Sequence, residues 1–421
     1  MNTSQRINVM SIQVTNITEL DGVLSFNIKN VDTCVVNAIR RTILSNINAL
    51  VFRGFPYENS NINMIKNTSN FNNEYMKQRI SCIPVVNNDT ETFDAFRENY
   101  KVVVNVENNT HKKMYVTTEN IEIIAKSSEN GNGDANGDAN GDGNGGEKKM
   151  SRDKVMKYFP PDPNVPVDAN SSPYILLCVL FPNQSGDESQ NEALHFECDF
   201  DIGCAKENSC WNVVHNCTYE FLRNEAKIAE MADKIADESE KTDFLLLDAQ
   251  RYYHENEYKM TIETIGIYSN NQIINKSCDY IMDKLELVEK NLREQTQTKI
   301  LTKDVVTENA TDGTALKEDI IQLQEQYCHL YREDNLYILK LKEDDYTIGK
   351  LIENYFYKVN QDKLQFVGFK KEHPIKPEAF VHFQYKKGYL ANDASSSDVI
   401  KPLHDTIMMI SDVFQEIKKS F

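Results

Sequence analysis

The sequence contains no long apolar segment and none of the common catalytic motifs. Its longest apolar run, Tyr174–Phe181, has eight residues, which is too short to span a membrane and suits a buried strand. No basic segment followed by an apolar stretch opens the sequence, so we expect no secretory signal. A phosphate-binding glycine loop, G-x-S-x-G and H-E-x-x-H are all missing. These absences argue against a membrane protein and against the enzyme classes that those motifs identify.

Positive charge is scarce. The chain has 46 Lys and Arg against 64 Asp and Glu, which gives a formal net charge of −18. Proteins that neutralise many phosphates display a basic stripe, whereas Lys370-Lys371 and Lys418-Lys419 are short clusters typical of a solvated surface. We therefore expect no extended direct contact with nucleic acid, and the short apolar runs lead us to expect no membrane association.

Paired metal-binding cysteines are also missing. The nine cysteines are scattered, so reduced thiols in a cytosol-like compartment are expected. The densest group has gaps of five, five and six residues instead of C-x-x-C pairs, and comprises Cys198, Cys204, Cys210 and Cys217. Structural zinc prefers close pairs, so buried thiols are favoured over a zinc site. The histidines are isolated, and we predict no catalytic residue, no metal and no cofactor.

One segment is of low complexity. Residues 129–146 consist almost entirely of Asn, Gly, Asp and Ala. The repeated Asp and Asn residues are spaced as in a calcium-binding loop, but the distal Glu and the flanking helices of an EF-hand are missing. A flexible loop at 129–149 is the favoured interpretation.

A strand-then-helix pattern occurs twice in the sequence. Leu24–Ile28 alternates apolar and polar residues and precedes a helical pattern over Asp32–Ile43, while Tyr337–Leu341 likewise precedes Asp345–Phe356. When the two segments are aligned without gaps, their apolar positions coincide. Two copies of one unit, each with an apolar helical stripe, predict that the copies pack on each other as a built-in pseudo-dimer. Periodicity alone also fits two ordinary amphipathic helices in one core.

Each helical pattern begins with an aspartate. Asp32 and Asp345 are good N-caps, because a carboxylate accepts hydrogen bonds from the free N–H groups of the first turn. The apolar stripes behind them comprise Val35, Ala38, Ile39, Ile43, Ile47 and Leu50, and Ile348, Leu351, Ile352, Tyr355, Phe356 and Val359. Burying each large side chain is worth about 1.5–3 kcal/mol, so packing of the two stripes would be strongly favourable.

The first copy resembles the alpha-like subunits of DNA-dependent RNA polymerases: the bacterial alpha subunit, its archaeal D-type counterpart and the third subunit of polymerase II. Asp32–Ile43 is similar to the family's D-x-S-x-A-N-A-L-R-R-T-L. Gln78–Val85 is similar to H-R-L-G-L-I-P-L, and Ile262–Gly266 to V-E-S-V-G. Gln78 and Ser81 depart from the family pattern.

The second copy resembles the smaller partner in these polymerases, which is the archaeal L-type protein or the eleventh subunit of polymerase II. Tyr346–Ile352 is similar to H-T-L-G-N-L-I, with departures at Tyr346 and Lys350, and Gly368–Pro374 is similar to G-Y-K-x-x-H-P. Both partners on one chain resemble the fused alpha-like polymerase protein of nucleocytoplasmic large DNA viruses.

The resemblance implies an α+β fold of two alpha-like dimerisation modules that form an intramolecular pseudo-dimer, with a mainly β domain inserted in the first. The implied segments are 1–53 and 251–301 for the first module, 54–250 for the inserted domain, 302–333 for a linker and 334–421 for the second module.

The resemblance also implies two sets of site residues. The expected interface between the modules comprises Val35, Ile39, Ile43, Ile47, Ile348, Leu351, Ile352, Phe356, Ile407 and Phe414. The expected contact with a large subunit comprises Asn37, Arg40, Arg41 and Arg79. The guanidinium groups of Arg40 and Arg41 suit bidentate pairing with carboxylates of a partner. The alternative, which stays open, is that both are solvent-exposed arginines of a surface helix.

By this resemblance, the chain is expected to be a non-catalytic assembly platform of a viral DNA-dependent RNA polymerase. Its expected partners are the largest and second-largest subunits and small zinc-bearing subunits, with no homodimer. The expected location is the virion and the viral factory in the host cytoplasm. An acidic interaction scaffold outside transcription and an enzyme site hidden in the inserted domain are the alternatives.

Overall fold

The structure is a computed structural model that describes residues 12–86, 93–126, 148–165, 172–183, 190–296, 300, 326–390 and 395–421. The predicted loop at 129–149, except for its last two residues, lies outside the described residues, as does the predicted linker up to residue 325. Contacts divide the chain into two compact units. Unit 1 comprises 1–46, 214–263 and 270–421, and unit 2 comprises 47–213 and 264–269.

The described secondary structure is mixed. In chain order the strands are β1 (Gln13–Leu20), β2 (Val23–Lys29), β3 (Ala49–Val51), β4 (Ile62–Asn67), β5 (Tyr100–Glu107), β6 (Met114–Thr117), β7 (Glu122–Ala125), β8 (Leu176–Leu180), β9 (Ala193–Asp199), β10 (Asp201–Gly203), β11 (Val214–Arg223), β12 (Tyr253–Thr264), β13 (Cys328–Glu333), β14 (Leu336–Lys342), β15 (Leu364–Lys370) and β16 (Glu378–Tyr385). The helices are α1 (Thr33–Ser45), α2 (Asn73–Ser81), α3 (Phe93–Asn99), α4 (Arg152–Tyr158), α5 (Glu225–Ala232), α6 (Glu238–Leu246), α7 (Asn270–Gln295), α8 (Tyr346–Val359) and α9 (Ser396–Lys418). The predicted α+β class is confirmed.

Unit 1 contains two four-stranded antiparallel sheets with the same topology. One has the order β1-β2-β12-β11 and the other β13-β14-β16-β15. In both, a hairpin leads into a helix, α1 or α8, and the last strand of the sheet in sequence leads into a long helix, α7 or α9. We call β1, β2, α1, β11, β12 and α7 the first module, and β13 to β16 with α8 and α9 the second module.

The strand registers agree with the ungapped repeat. Leu24 pairs with Ile262 in the first sheet, and the equivalent Tyr337 pairs with Phe383 in the second. Alternate residues of β2 are buried, as the sequence pattern predicts. The predicted strand-then-helix repeat is therefore confirmed in the fold.

Backbone conformations repeat as well. Asp21 and Gly22, with φ of 50° and 79°, form the turn of the first hairpin, and positive φ at both turn residues matches the right-handed twist of the strands. The equivalent Asp334 has a φ of 51°. Between strand and helix, Asn30 and the equivalent Glu343 have φ of 62° and 53°. The two copies thus enter their helices through the same left-handed bend.

Two boundaries differ from the predictions. Helix α1 ends at Ser45 and Leu50 lies in β3, so extension of its helical stripe to Leu50 was wrong. Strand β11 belongs to the first sheet of unit 1, whereas the predicted inserted domain at 54–250 includes it. Its polar residues leave no clean apolar alternation, which is why the sequence pattern did not separate it.

Unit 2 is mainly β. Its largest sheet has the order β4-β9-β5-β7, and β3 with β10 and β6 with β8 form two-stranded sheets. The core includes Phe52 and Phe200, whose ring centroids lie 5.3 Å apart. Within the part of the chain that the structure describes, no helix combines the length and hydropathy needed to cross a membrane.

Candidate subunit-assembly site

Four helices of unit 1 pack around a common core. Helix α1 of the first module packs against α8 of the second, and α7 packs against α9. All of the predicted interface residues are buried, and they are Val35, Ile39, Ile43, Ile47, Ile348, Leu351, Ile352, Phe356, Ile407 and Phe414. Ile47 follows α1 and belongs to unit 2; the other nine lie on the packed helices of unit 1.

Helices α1 and α8 exchange equivalent contacts. Arg41 Nε donates to Thr347 Oγ1 at 3.2 Å, and Asn354 Nδ2 donates to Cys34 Sγ at 3.1 Å. In the ungapped repeat, Arg41 is equivalent to Asn354 and Cys34 to Thr347. The two hydrogen bonds are therefore the same contact made in both directions.

The aspartates at the two helix starts take part in this crossing. Asp345 Oδ2 accepts from Arg41 Nη2 at 2.5 Å, and the equivalent Asp32 forms an ion pair with Lys358. Asp345 Oδ1 also accepts from Thr347 N at 3.0 Å, which confirms its predicted capping role. Asp32 makes no side-chain cap hydrogen bond, so that part of the prediction was wrong, because Lys358 engages its carboxylate instead.

The Arg41–Asp345 pair is half-buried and alters the acidity of the carboxyl group. Burial alone raises the pKa of Asp345, but the Arg41 guanidinium and the hydrogen bonds from Thr347 outweigh burial and lower the pKa below its usual value. The charged carboxylate is thus the form that this junction stabilises.

Asp345→Asn should remove the stabilisation that the charged carboxylate provides, while its amide oxygen can still accept the capping hydrogen bond from Thr347 N. A carboxyl group whose pKa is lower in the folded than in the unfolded chain stabilises the fold at pH values above its unfolded pKa of about 3.9. This stabilisation is lost as the pH falls through the pKa of the folded chain. Because solvent screens the pair, we expect the variant to lose about 1 kcal/mol or less at pH 7, and progressively less as the pH falls below the unfolded pKa. Urea denaturation along a series of falling pH values measures this. A loss that persists undiminished at the lowest pH, or an equal loss in the exposed-site control Asp362→Asn, would contradict the explanation.

Helices α7 and α9 run antiparallel. Asp279, early in α7, pairs with Lys418 at the end of α9 at 2.5 Å, while Glu289 accepts from His404 Nε2 at 2.7 Å nearer the other end. Beyond α9, the ring of Phe421 contacts that of Phe26 on β2, with centroids 4.7 Å apart. The second module therefore contacts both the helices and the sheet of the first.

Strand β13 is an edge of the second sheet, and α7 of the first module covers it. Asn291 Oδ1 accepts from Cys328 N at 3.3 Å, and Gln295 Oε1 accepts from Leu330 N at 2.9 Å. Edge strands present unpaired N–H groups that must be satisfied or covered. Two amide side chains one helical turn apart meet this need. Sequence reasoning missed these residues, although two polar residues in the apolar stripe of α7 were a usable signal.

One family model matches the chain. The family described as the RNA polymerase Rpb3/Rpb11 dimerisation domain matches residues 25–285, more than half of the chain. The chain belongs to the RNA polymerase Rpb3/Rpb11 dimerisation family. No curated protein matches the chain. The family match ends within α7, so the second module lies beyond it.

Rpb3/Rpb11-type domains are non-catalytic parts of RNA polymerase, and the predicted resemblance to an alpha-like polymerase subunit is confirmed at the level of the family. Within the described ranges, no three His, Cys, Asp or Glu side chains converge as metal ligands. Of the four cysteines weighed as zinc ligands, Cys198 and Cys217 are buried, and Cys204 and Cys210 are half-buried.

The predicted large-subunit contacts of this Rpb3/Rpb11-family chain fall in different places. Arg40 lies on α1 and donates from Nε and Nη2 to Asn37 Oδ1 at 3.1 and 3.0 Å. No carboxylate among the described residues forms an ion pair with Arg40. Arg41 binds Asp345 within the chain. Arg79 lies in unit 2, where Nε and Nη2 donate to the carbonyl oxygens of Leu177 and Leu176 at 2.9 and 2.6 Å.

Proposed function

We propose that this chain is the non-catalytic assembly platform of a multisubunit DNA-dependent RNA polymerase, and that its two modules pair within one chain as an intramolecular pseudo-dimer. The observation that carries the proposal is the reciprocal contact of Arg41 with Thr347 and of Asn354 with Cys34. A family whose name describes dimerisation supports the same conclusion.

Covalent linkage of the modules favours their pairing. A tethered partner at millimolar effective concentration is preferred over a separate partner at micromolar concentration by about 4 kcal/mol. The identical strand orders of the two sheets and the antiparallel α7–α9 pair also support this arrangement. In this proposal one chain replaces the two separate subunits of other polymerases.

The paired modules present α1 to the large catalytic subunits. Arg40 is the strongest candidate for this contact, because its guanidinium is held against Asn37 and has no carboxylate partner among the described residues. Its fork suits bidentate pairing with a partner's carboxylate. Asn37 extends the proposed contact, whereas Arg41 is already bound to Asp345 and Arg79 to the carbonyl oxygens of Leu176 and Leu177.

The fused arrangement further supports a viral polymerase that acts in the virion and in the host cytoplasm. Small zinc-bearing polymerase subunits are proposed as additional partners. The acidic balance of the chain, with a net charge of −18, favours a position away from the nucleic-acid channel.

Arg40→Glu tests the docking proposal. The tagged chain is co-expressed with the largest and second-largest polymerase subunits, and their recovery is measured after affinity purification. Reversal of one bidentate charge contact costs about 2–5 kcal/mol, so we expect recovery to fall at least tenfold while the isolated variant unfolds at the wild-type temperature. Arg251→Glu, at a side chain that is 82% exposed, is the matched control and should leave recovery unchanged.

Two outcomes would count against the proposal. Full recovery with Arg40→Glu would remove Arg40 from the contact. Failure of the wild-type chain to capture either large subunit would favour an acidic scaffold that acts outside transcription.

A further inference from the structure

Two thiols of unit 2 lie side by side near the surface. Cys82 is exposed and follows the last residue of α2, and the half-buried Cys210 lies in the short turn Ser209–Trp211. The two thiols are close enough for Cys82 to raise the pKa of Cys210. Cys210 Sγ also lies 3.7 Å from the carbonyl oxygen of Ser81, which immediately precedes Cys82. Segments far apart in sequence thus bring two free cysteines together.

The surrounding structure holds this pair in position. Cys82 N donates to the carbonyl oxygens of Arg79 and Ile80, so the end of α2 is ordered. Cys210 N donates to Asn208 Oδ1 at 3.2 Å, and Trp211 Nε1 donates to the Ser81 carbonyl oxygen at 3.2 Å. These contacts hold the end of α2 beside the turn that carries Cys210, and a disulfide needs two cysteines held close together.

We propose that Cys82 and Cys210 are an oxidation site that closes to a disulfide when the chain meets a peroxide. Cys82 sulfur attacks one peroxide oxygen, the O–O bond breaks, and one water leaves with formation of a sulfenic acid. Cys210 sulfur then attacks the Cys82 sulfur, the S–O bond breaks, and a second water carries away the Cys210 proton. Two thiols and one hydrogen peroxide thus give one disulfide and two waters.

Exposure assigns the two roles. Cys82 is the more exposed thiol and reacts first, because susceptibility to oxidation follows access. The pKa of Cys210 is raised to about 11, mainly by burial and to a smaller extent by the neighbouring Cys82. Cys210 is therefore the less reactive thiol towards peroxide and serves as the resolving group, giving up its proton to the departing hydroxyl as the S–S bond forms.

The bond would join the end of α2 to the turn that carries Trp211. Trp211 is buried and its ring lies under the Arg53 guanidinium at 4.8 Å, while Gly203 approaches the same ring so closely that a Cβ would lie 2.6 Å from it. The loop between residues 82 and 210 is long, and cross-linking a long loop restricts the unfolded chain most.

The test uses the full-length chain, reduced or treated with hydrogen peroxide. Peptide mapping under non-reducing conditions should show Cys82 linked to Cys210, and the unfolding midpoint of unit 2 should rise by about 5 °C and return with dithiothreitol. Cys82→Ser and Cys210→Ser should abolish the link and the rise. Cys204→Ser is the matched control, since Cys204 is half-buried in the same segment and its Sγ contacts Glu207, and it should keep both.

Three results would overturn the proposal. They are a linkage that involves Cys204, sulfinic acid at Cys82 without a linkage, and cross-links only between chains. Because the reduced and oxidised wild-type chains are compared directly, poor folding of a serine variant does not remove the test.

Discussion

Replacing Leu351 with aspartate is expected to lower the free energy of unfolding of the chain by about 5 kcal/mol. Leu351 is fully buried on α8. It lies midway between Thr347 and Asn354, the two α8 residues that contact α1, and is therefore near the centre of the helix crossing. The substitution removes apolar burial and places a carboxylate at a position shielded from water.

Urea denaturation at pH 7 measures this loss, and hydrogen exchange locates it. Exchange should accelerate in α1 as well as in α8, because each helix loses its partner. Tyr357→Asp is the matched control: it places the same charge on the same helix at a side chain that is 46% exposed, and it should cost less than about 1 kcal/mol. If exchange changed in α8 alone, the two helices would not depend on each other.

The double variant Asn291→Ala/Gln295→Ala is expected to lower the free energy of unfolding by about 2–6 kcal/mol. Both side chains accept hydrogen bonds from backbone N–H groups of β13, at Cys328 and Leu330. Each buried N–H group left without a partner costs about 1–3 kcal/mol. The first module would then no longer satisfy the edge of the second module's sheet.

The matched control uses two exposed residues at the same spacing on the same helix, Glu286→Ala/Lys290→Ala. It should change the free energy of unfolding by less than about 0.5 kcal/mol per site. Thermal unfolding and exchange of the β13 amides distinguish the two variants. Equal stability of both would show that α7 does not support β13.

The sequence predicts the repeat well because both of its signals are local. Alternation at Leu24, Phe26 and Ile28 defines a half-buried strand, and spacings of three and four define each helical stripe. A gapless superposition therefore aligns residues that the structure places at equivalent registers. The left-handed bends at Asn30 and Glu343 repeat too. Asparagine is enriched in this conformation, whereas Glu343 gives no sequence signal of such a bend.

The site is less predictable because it depends on tertiary geometry. Arg40 and Arg41 are adjacent in sequence, and only the crossing of α1 with α8 directs Arg41 to Asp345 and leaves Arg40 beside Asn37. The same crossing brings Lys358 to Asp32, which then provides no cap for its own helix. Local propensity contains no information about either pairing.

The most direct test of intrachain pairing is the mass of the purified full-length chain by multi-angle light scattering. If both modules of one chain pair with each other, the chain is a monomer of 48.4 kDa across the concentration range. A species of twice that mass would contradict the account, because the modules would then pair between chains.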